Sequence, residues 1–509
     1  MNLLTSLSEA QEEIVEAISR LSSIIQFLFG LLSYDLATVD VQHEALSCLT
    51  ALTEDNQPLV QILAANDDWI NRLVQIKDGA DIRAVAACGM LHNIFTCMEW
   101  FDHNTEKEGV SDAILIPTLA RALSQANTQD ASTHDNPSIS SPDEILRLAL
   151  EITASIATTL QEALQHGGGQ EKEFRGFDDE IAEGDDERMD DDDNDQELRE
   201  DEDEDEGEMS QEEMDADMDL VTGNGPDADD SSAEELTLDR LVRNATPQVL
   251  QLARASQQPS GDNENIHRHA ISALNNIAWT VSSIDFSTGH LDSIKDFWTS
   301  LAYTIWDEVV SPVLASNTAD IELASSITSL AWAVSRSVQG SVKLKPEEQR
   351  KFMALYQASK GLPNSDGQSN GVKKQANDEP SDAFQSLGVM SIGVLGSLAL
   401  DPAPIELNKE IGIFLLTILA ALPETQPADA VEALNQIFDM YADKAYAFDE
   451  PVFWGAGFYK HLEEALPKVK KMAKSIDKRK YEELRSRADE AVLNLGRFLK
   501  YKQTERRTD

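Results

Sequence analysis

The sequence predicts an all-α protein, an armadillo/HEAT-type α-solenoid wound as a superhelix and carrying a long disordered acidic insertion. Three observations predict it. Leu, Ala, Ile and Val recur at three- and four-residue spacing along nearly every ordered stretch, and strand-like alternation is almost absent. One apolar phrase, with small residues on one face and Leu/Ile on another, returns along the chain. Between them lies a segment, 176–235, with 31 Asp/Glu against two cations, a composition that buries too little apolar surface to fold alone.

The phrase reads "ALSCLTAL" (45–52), "ACGMLHNIF" (87–95), "LALEITASIA" (148–157) and "AISALNNIAW" (270–279) in the first half of the chain. It returns as "SITSLAWAV" (326–334), "VMSIGVLGSLA" (389–399), "ALNQIFDMY" (433–441) and "AVLNLGRFL" (491–499). With Leu49, Leu91, Ile152, Leu274, Leu330, Ile392, Ile437 and Leu495 as equivalents, the steps outside the acidic region are mostly 42 to 62 residues. HEAT and armadillo units run about 40–47 residues, so longer steps need loop insertions. The polar, Gly/Pro/Ser-rich stretches 127–144 and 360–382 supply them. The expected organisation is armadillo-like repeats over 1–165, a disordered acidic loop over 166–235, and HEAT-like repeats with basic terminal helices over 236–509. An irregular bundle of look-alike helices is the alternative.

The formal net charge is −51, of which 176–235 carries −29, leaving −22 for the other 449 residues. The charge is therefore a local device on an ordinary folded body. Such a surface repels nucleic acid and lipid headgroups and attracts basic proteins. Cys48, Cys88 and Cys97 fall in apolar helical patterns and are expected as buried thiols in a reducing compartment. The spacing of Cys88, His92 and Cys97 hints at a metal, but a fourth ligand is missing and the flanks are apolar, so no metal or cofactor is expected. "MNLLTSLSEAQEE" lacks the basic start of a signal peptide, and the longest apolar run, 411–422, falls short of the ~20 residues that span a bilayer. An intracellular monomer without a membrane partner is expected.

Catalytic motifs are not found. "HGGG" (166–169) has no G-x-S-x-G elbow to serve and reads as linker. No P-loop, paired catalytic carboxylates or Ser/His/Asp set is visible, so the chain is not expected to be an enzyme. "HRH" (267–269) reads as solvated. The basic stretch 468–507, with 14 Lys/Arg against six Asp/Glu, reads as the solvated face of capping helices. Its alternatives are an internal partner for the polyanion or an import signal.

Two binding elements remain. A solenoid presents a long concave surface whose lining sets its function, and the phrases carry Asn93, Asn275, Asn276, Trp279, Trp332 and Asn435 at recurring positions. An Asn can bond an extended peptide's backbone in both directions, and a Trp wall packs against side-chain stems. The alternative is structural, with Trp packed between repeats and Asn bracing a neighbour. In the acidic loop, Asp190, Asp191, Asp192, Asp193, Asp201, Glu202, Asp203, Glu204, Asp205 and Glu206 supply charge. Beyond them Met214, Met218 and Val221 form an i, i+4, i+7 stripe, a short amphipathic helix that a partner's apolar groove can fold. The alternative is an accidental pattern in a solubilising tail.

The chain resembles the symportins, the fungal synchronized-import adaptors for ribosomal proteins. The resemblance rests on "EALSCLTALTEDN", "AACGMLHNIFTCMEWFDH", "SDAILIPTLARAL", "HAISALNNIAWTVSS", "SLAWAVSR", "LGVMSIGVLGSLALDPAPIELNKEIGIFLLTIL", "EALNQIFDMYAD" and "RADEAVLNLGRFLKYK". It implies an armadillo/HEAT solenoid that binds large-subunit ribosomal proteins five and eleven together. It further implies escort into the nucleus with a transportin-type receptor, for assembly with 5S ribosomal RNA, so that the protein shuttles between cytoplasm and nucleus. Protein five would place a basic N-terminal segment in the groove, and protein eleven would engage the acidic loop. Symportins begin with a basic import signal and further repeats, whereas this chain opens at a position matching a later repeat, so truncation is expected. A general acidic chaperone for histones and other cations, or a solenoid scaffold in another pathway, stays open beside this reading.

Overall fold

The computed structural model describes residues 18, 21–34, 36–54, 56–102, 110–125, 142–167, 236–254, 261–316, 320–360 and 383–508. These residues are helical with short turns, and among them there is no strand. Up to the acidic segment the helices are α1 (Ser22–Leu32), α2 (Val39–Thr53), α3 (Gln57–Ala64), α4 (Asp67–Lys77), α5 (Ile82–Cys97), α6 (Ile116–Gln125) and α7 (Pro142–Gly167). Beyond it come α8 (Leu236–Arg240), α9 (Thr246–Ala253), α10 (Gly261–Ser282), α11 (Asp292–Ile305), α12 (Ser311–Ala315) and α13 (Ile321–Val338). The chain ends with α14 (Glu348–Ser359), α15 (Leu387–Leu398), α16 (Ile405–Ala420), α17 (Pro427–Met440), α18 (Phe458–Ser475) and α19 (Glu482–Thr508).

Local chemistry sets several starts. Thr38, Asn56, Asn66, Asp81, Asp320 and Ser386 each accept a backbone N–H of the first turn that follows, a cap worth about 1 kcal/mol. Inside the second layer two helices share a different device. Leu241–Ala245 and Trp306–Val310 are π-helical turns, and each runs into Thr246-Pro247 or Ser311-Pro312. Proline has no N–H to give and its ring crowds the carbonyl four residues back. The wider turn absorbs that conflict, and Thr246 Oγ1 bonds the carbonyl of Leu241 at 2.8 Å.

The repeated phrases become one layer. They lie in α2, α5, α7, α10, α13, α15, α17 and α19, two of them running one residue past the helix end, and each of these helices packs on the next in that order. A second layer pairs with the first: α4 packs on α5, α6 on α7, α9 on α10, α14 on α15, α16 on α17 and α18 on α19. This is the helix-pair solenoid, and one continuous apolar core runs through it from Ile18 to Leu499. The stack does not break at the acidic segment, because α7 packs directly on α10. The chain re-enters where Thr237 N and Oγ1 bond Asp102 at 2.6 and 2.9 Å, and Arg240 bonds the carbonyl of Ala113 at 2.6 Å.

Two expectations are corrected. His267 is not solvated: it lies within α10, half-buried, and burial lowers its ring's affinity for a proton. The basic C-terminal stretch is not all solvated face either. Lys502 is fully buried and pairs with Asp449 at 2.9 Å and Glu505 at 3.2 Å, tying α19 to the turn before α18.

Candidate functional site

A helix in the stacked layer is covered on both sides by its neighbours and behind by its partner. One stripe remains available to solvent, and the predicted groove residues fall on or beside it. They do not form one uniform site. Asn93 is half-buried and its amide donates to the carbonyl of Thr50 at 3.2 Å and to Thr53 Oγ1 at 3.3 Å. Asn276 donates to the carbonyl of Ala154 at 3.4 Å and to Thr158 Oγ1 at 3.2 Å. Both brace their helix against the preceding one of the stack, which is the structural reading of these residues. Asn275 differs, because its Oδ1 is buried without a hydrogen-bond partner. Asn435 is exposed on α17.

Trp279 and Trp332 do meet. Their rings lie edge to face, 5.3 Å between centroids, across the contact of α10 with α13. Trp279 Nε1 donates to Ser329 Oγ at 3.2 Å, fixing the ring, and the Arg336 guanidinium stands over it at 6.0 Å. Both indoles are half-buried, so each keeps apolar surface toward solvent. The next helix makes room for them. A Cβ on Gly393 of α15 would lie 2.1 Å from Trp332, and one on Gly396, a turn later, would lie 1.9 Å from Gln436 of α17. Gly393 and Gly396 share one face of α15, so Trp332 and Gln436 come in over that same face.

Gln436 leads to residues that sequence reasoning missed. Its Nε2 donates to Glu432 Oε1 at 2.7 Å, and Glu432, Asn435, Gln436 and Asp439 share one face of α17 at three- and four-residue spacing. Glu432 is only 8% exposed, and burial pushes its carboxyl up to about 7. Asp439 keeps an exposed edge, yet the protein around it desolvates its carboxyl and pushes it up to about 6. The signal was present in "VEALNQIFDM", where acids and amides recur at helical spacing inside an otherwise core-like phrase.

The structure also assembles a Ser/His/Asp set that sequence reasoning did not find. His92 Nδ1 lies 3.0 Å from both Asp112 oxygens, and Nε2 lies 2.9 Å from Ser155 Oγ. Nδ1 therefore carries the ring proton and Nε2 accepts from the serine. Yet Ser155 sits in mid-helix on α7, where neighbouring N–H groups are committed to the helix and none aims at an oxyanion. With both ring nitrogens engaged, His92 has no lone pair to offer a metal beside Cys88, whose buried thiol is pushed up to about 12. Among the described residues no cluster of His, Cys, Asp and Glu has metal-binding geometry, and no helix is long and apolar enough to cross a membrane. The acidic residues 190–193 and 201–206, with Met214, Met218 and Val221, lie outside the described residues. A separate apolar cavity of about 340 Å³ opens between α16 and α18, in the other layer.

The family model described as SYO1-like, TPR repeats, matches residues 236–506. Symportin 1 of Chaetomium thermophilum is 44% identical over 523 residues, covering 98% of this chain and 75% of that protein. The chain belongs to the symportin family. Two further relatives match more narrowly. An armadillo repeat protein involved in nucleocytoplasmic transport, Syo2 of Schizosaccharomyces pombe, is 30% identical over 48% of this chain and 33% of its own length. Synchronized import protein 1 of Saccharomyces cerevisiae is 34% identical over 23% of this chain and 19% of its own. The family-model match runs from α8 into α19, while the Symportin 1 match covers nearly the whole chain. The former contains Trp279, Trp332 and the α17 carboxylates.

Proposed function

We propose that this chain is a non-enzymatic import adaptor and chaperone that holds large-subunit ribosomal proteins five and eleven together. It shields their RNA-binding surfaces and supports assembly of the 5S ribonucleoprotein. The observation that carries the reading is the unbroken stack across the acidic segment. The chain leaves the stack at α7 and rejoins it at α8, and α7 packs directly on α10, so both ends of the polyanion are anchored on one stack whose groove wall includes a half-buried Trp pair. Relatives named for nucleocytoplasmic transport and synchronized import support the adaptor role. The two cargoes come from the family resemblance.

In this mechanism the groove holds an extended basic segment of protein five, and the acidic segment takes protein eleven. Its carboxylates stand in for RNA phosphates, and Met214, Met218 and Val221 add apolar affinity and orientation. Release follows when RNA, with higher charge density and fixed geometry, competes for the same cations. Deletion of 176–235 should abolish capture of protein eleven and leave protein five bound, measured by pull-down of purified proteins at moderate salt. Unchanged binding of both would overturn the division of labour. Indiscriminate capture of histones and other cations by the full chain would favour a general acidic chaperone.

A further inference from the structure

Most other buried carboxylates among the described residues have two or more donors or a charged partner. Glu348, 1% exposed, accepts from Trp306 Nε1 at 3.2 Å, Ser311 Oγ at 2.5 Å and Lys345 N at 2.9 Å. Asp449 has Lys502, and Asp112 has His92. At the start of the same stripe Arg268 pairs with Glu264, Asp320 and Glu322 at 3.0, 2.7 and 3.1 Å. Two carboxylates of α17 depart from this: Asp429, pushed up to about 6 by burial, and Glu432. Glu432 is as buried as the core, and its hydrogen-bond partner is a neutral amide. Among the described residues no cation stands within ion-pair distance of Glu432 or Asp439. Arg336 of α13 and Arg487 of α19 reach Glu432 only through the longer-range field, and Arg336 alone reaches Asp439. A buried carboxylate without a counter-ion costs stability; Glu432 is one, and the exposed but desolvated Asp439 follows it on a face of α17 that feels Arg336, the cation over the Trp279 ring.

We infer that Trp279, Trp332, Glu432 and Asp439 form a subsite for a single lysine or arginine side chain of the extended segment bound in the groove, with Arg336 as the resident cation that the ligand displaces. The inference rests on the proposed groove function and specifies its chemistry. The indoles pack along the aliphatic stem and face the charge. The carboxylates receive the ammonium or guanidinium, whose charge stabilises the ionised forms that desolvation disfavours in the empty protein. Arg336 can withdraw, since it is exposed and also borders a polar cavity of about 470 Å³ lined by Asp285 and Asp401.

The sign of the pH response follows. With the site empty the two carboxyls sit near 7 and 6, above the ordinary carboxylate range. A bound cation favours their ionised forms, so binding releases protons and affinity rises as pH rises through this window. Like-charge repulsion within an acidic run also raises its carboxyl values, so the slope is assigned to this pair by the variant that removes it. Glu432 is faced by Asp439 and Gln436 on its own helix, Arg336 on α13 and Arg487 on α19. Asp439 is faced by Arg336 and adds to the upward push on the Tyr446 phenol.

The test uses the full chain and a fluorescent ten-residue peptide of alternating Lys and Ser, carrying a photo-crosslinker, with Gln replacing Lys in the control. Anisotropy should show affinity rising about tenfold from pH 5.5 to 8 and crosslinks should map to α10, α13 and α17. Glu432→Gln with Asp439→Asn should flatten the slope to within about twofold and weaken binding at pH 8, while melting no lower than the parent. Arg336→Gln should tighten binding about threefold or more, a direction that a merely structural residue would not give. Retention of both the slope and the affinity in the double variant would overturn the subsite while crosslinks to these helices still upheld the groove. Absence of those crosslinks in the parent chain would overturn both.

Discussion

His92 shows how much a single side chain of this solenoid holds. Its ring joins α5 to Asp112 in the turn before α6 and to Ser155 on α7, so three consecutive parts of the stack meet on one imidazole. Replacing it strands a buried carboxylate and a hydroxyl together. His92→Ala should therefore cost about 3 kcal/mol, read as a lower denaturation midpoint at unchanged slope. Ser155→Ala, which leaves only a ring nitrogen unpartnered, should cost about 1 kcal/mol. A fluorophosphonate probe should leave Ser155 unlabelled, because no oxyanion donor accompanies it. None of this was legible in the sequence. The partners of His92 lie 20 and 63 residues away, and spacing along one helix pointed instead to Cys88 and Cys97. The same limit split the asparagines. Their place on the stripe was readable, but whether an amide faces solvent or braces the preceding helix depends on the neighbour's register.

Among the elements, α15 explains why the sequence signal was strong in one layer and weak in the other. It is buried on nearly every face, between α13, α14 and α17, so its residues must be apolar or small and the phrase "VMSIGVLGSLA" carries no helical stripe at all. The partner helices bury a single face and mix more freely with polar residues, which is why the phrases located the stacked layer and the second layer went without a signature. The glycines of α15 had no assigned reason in the sequence. Gly393 is the seat of Trp332, and Gly393→Ala would place a methyl carbon 2.1 Å from that ring. The indole has to turn out of its edge-to-face contact with Trp279. The expected result is a destabilisation of about 1–3 kcal/mol with loss of near-ultraviolet circular dichroism from the Trp pair. Weakened binding of a basic peptide should accompany it.

At the scale of the whole molecule, charge and shape divide the work. Of a net −51, the 60 residues from 176 to 235 hold −29, while the other 449 share −22. A concentrated charge tethered at the stack acts at a distance, so it governs how fast a cation arrives and is screened by salt within about 10 Å at 0.1 M. In the proposed groove the indole pair and the desolvated carboxylates act only at contact, so they would govern how long an extended segment stays. The two contributions should separate in stopped-flow measurements with a basic cargo segment. For the full chain the association rate should fall on the order of tenfold or more between 50 and 500 mM salt. For the chain lacking 176–235 it should start lower and fall less than about threefold, while the dissociation rate of a groove-bound peptide stays the same in both. Equal salt slopes for the two chains would mean that the acidic segment does not steer, and a faster dissociation after deletion would mean that it also clamps the groove.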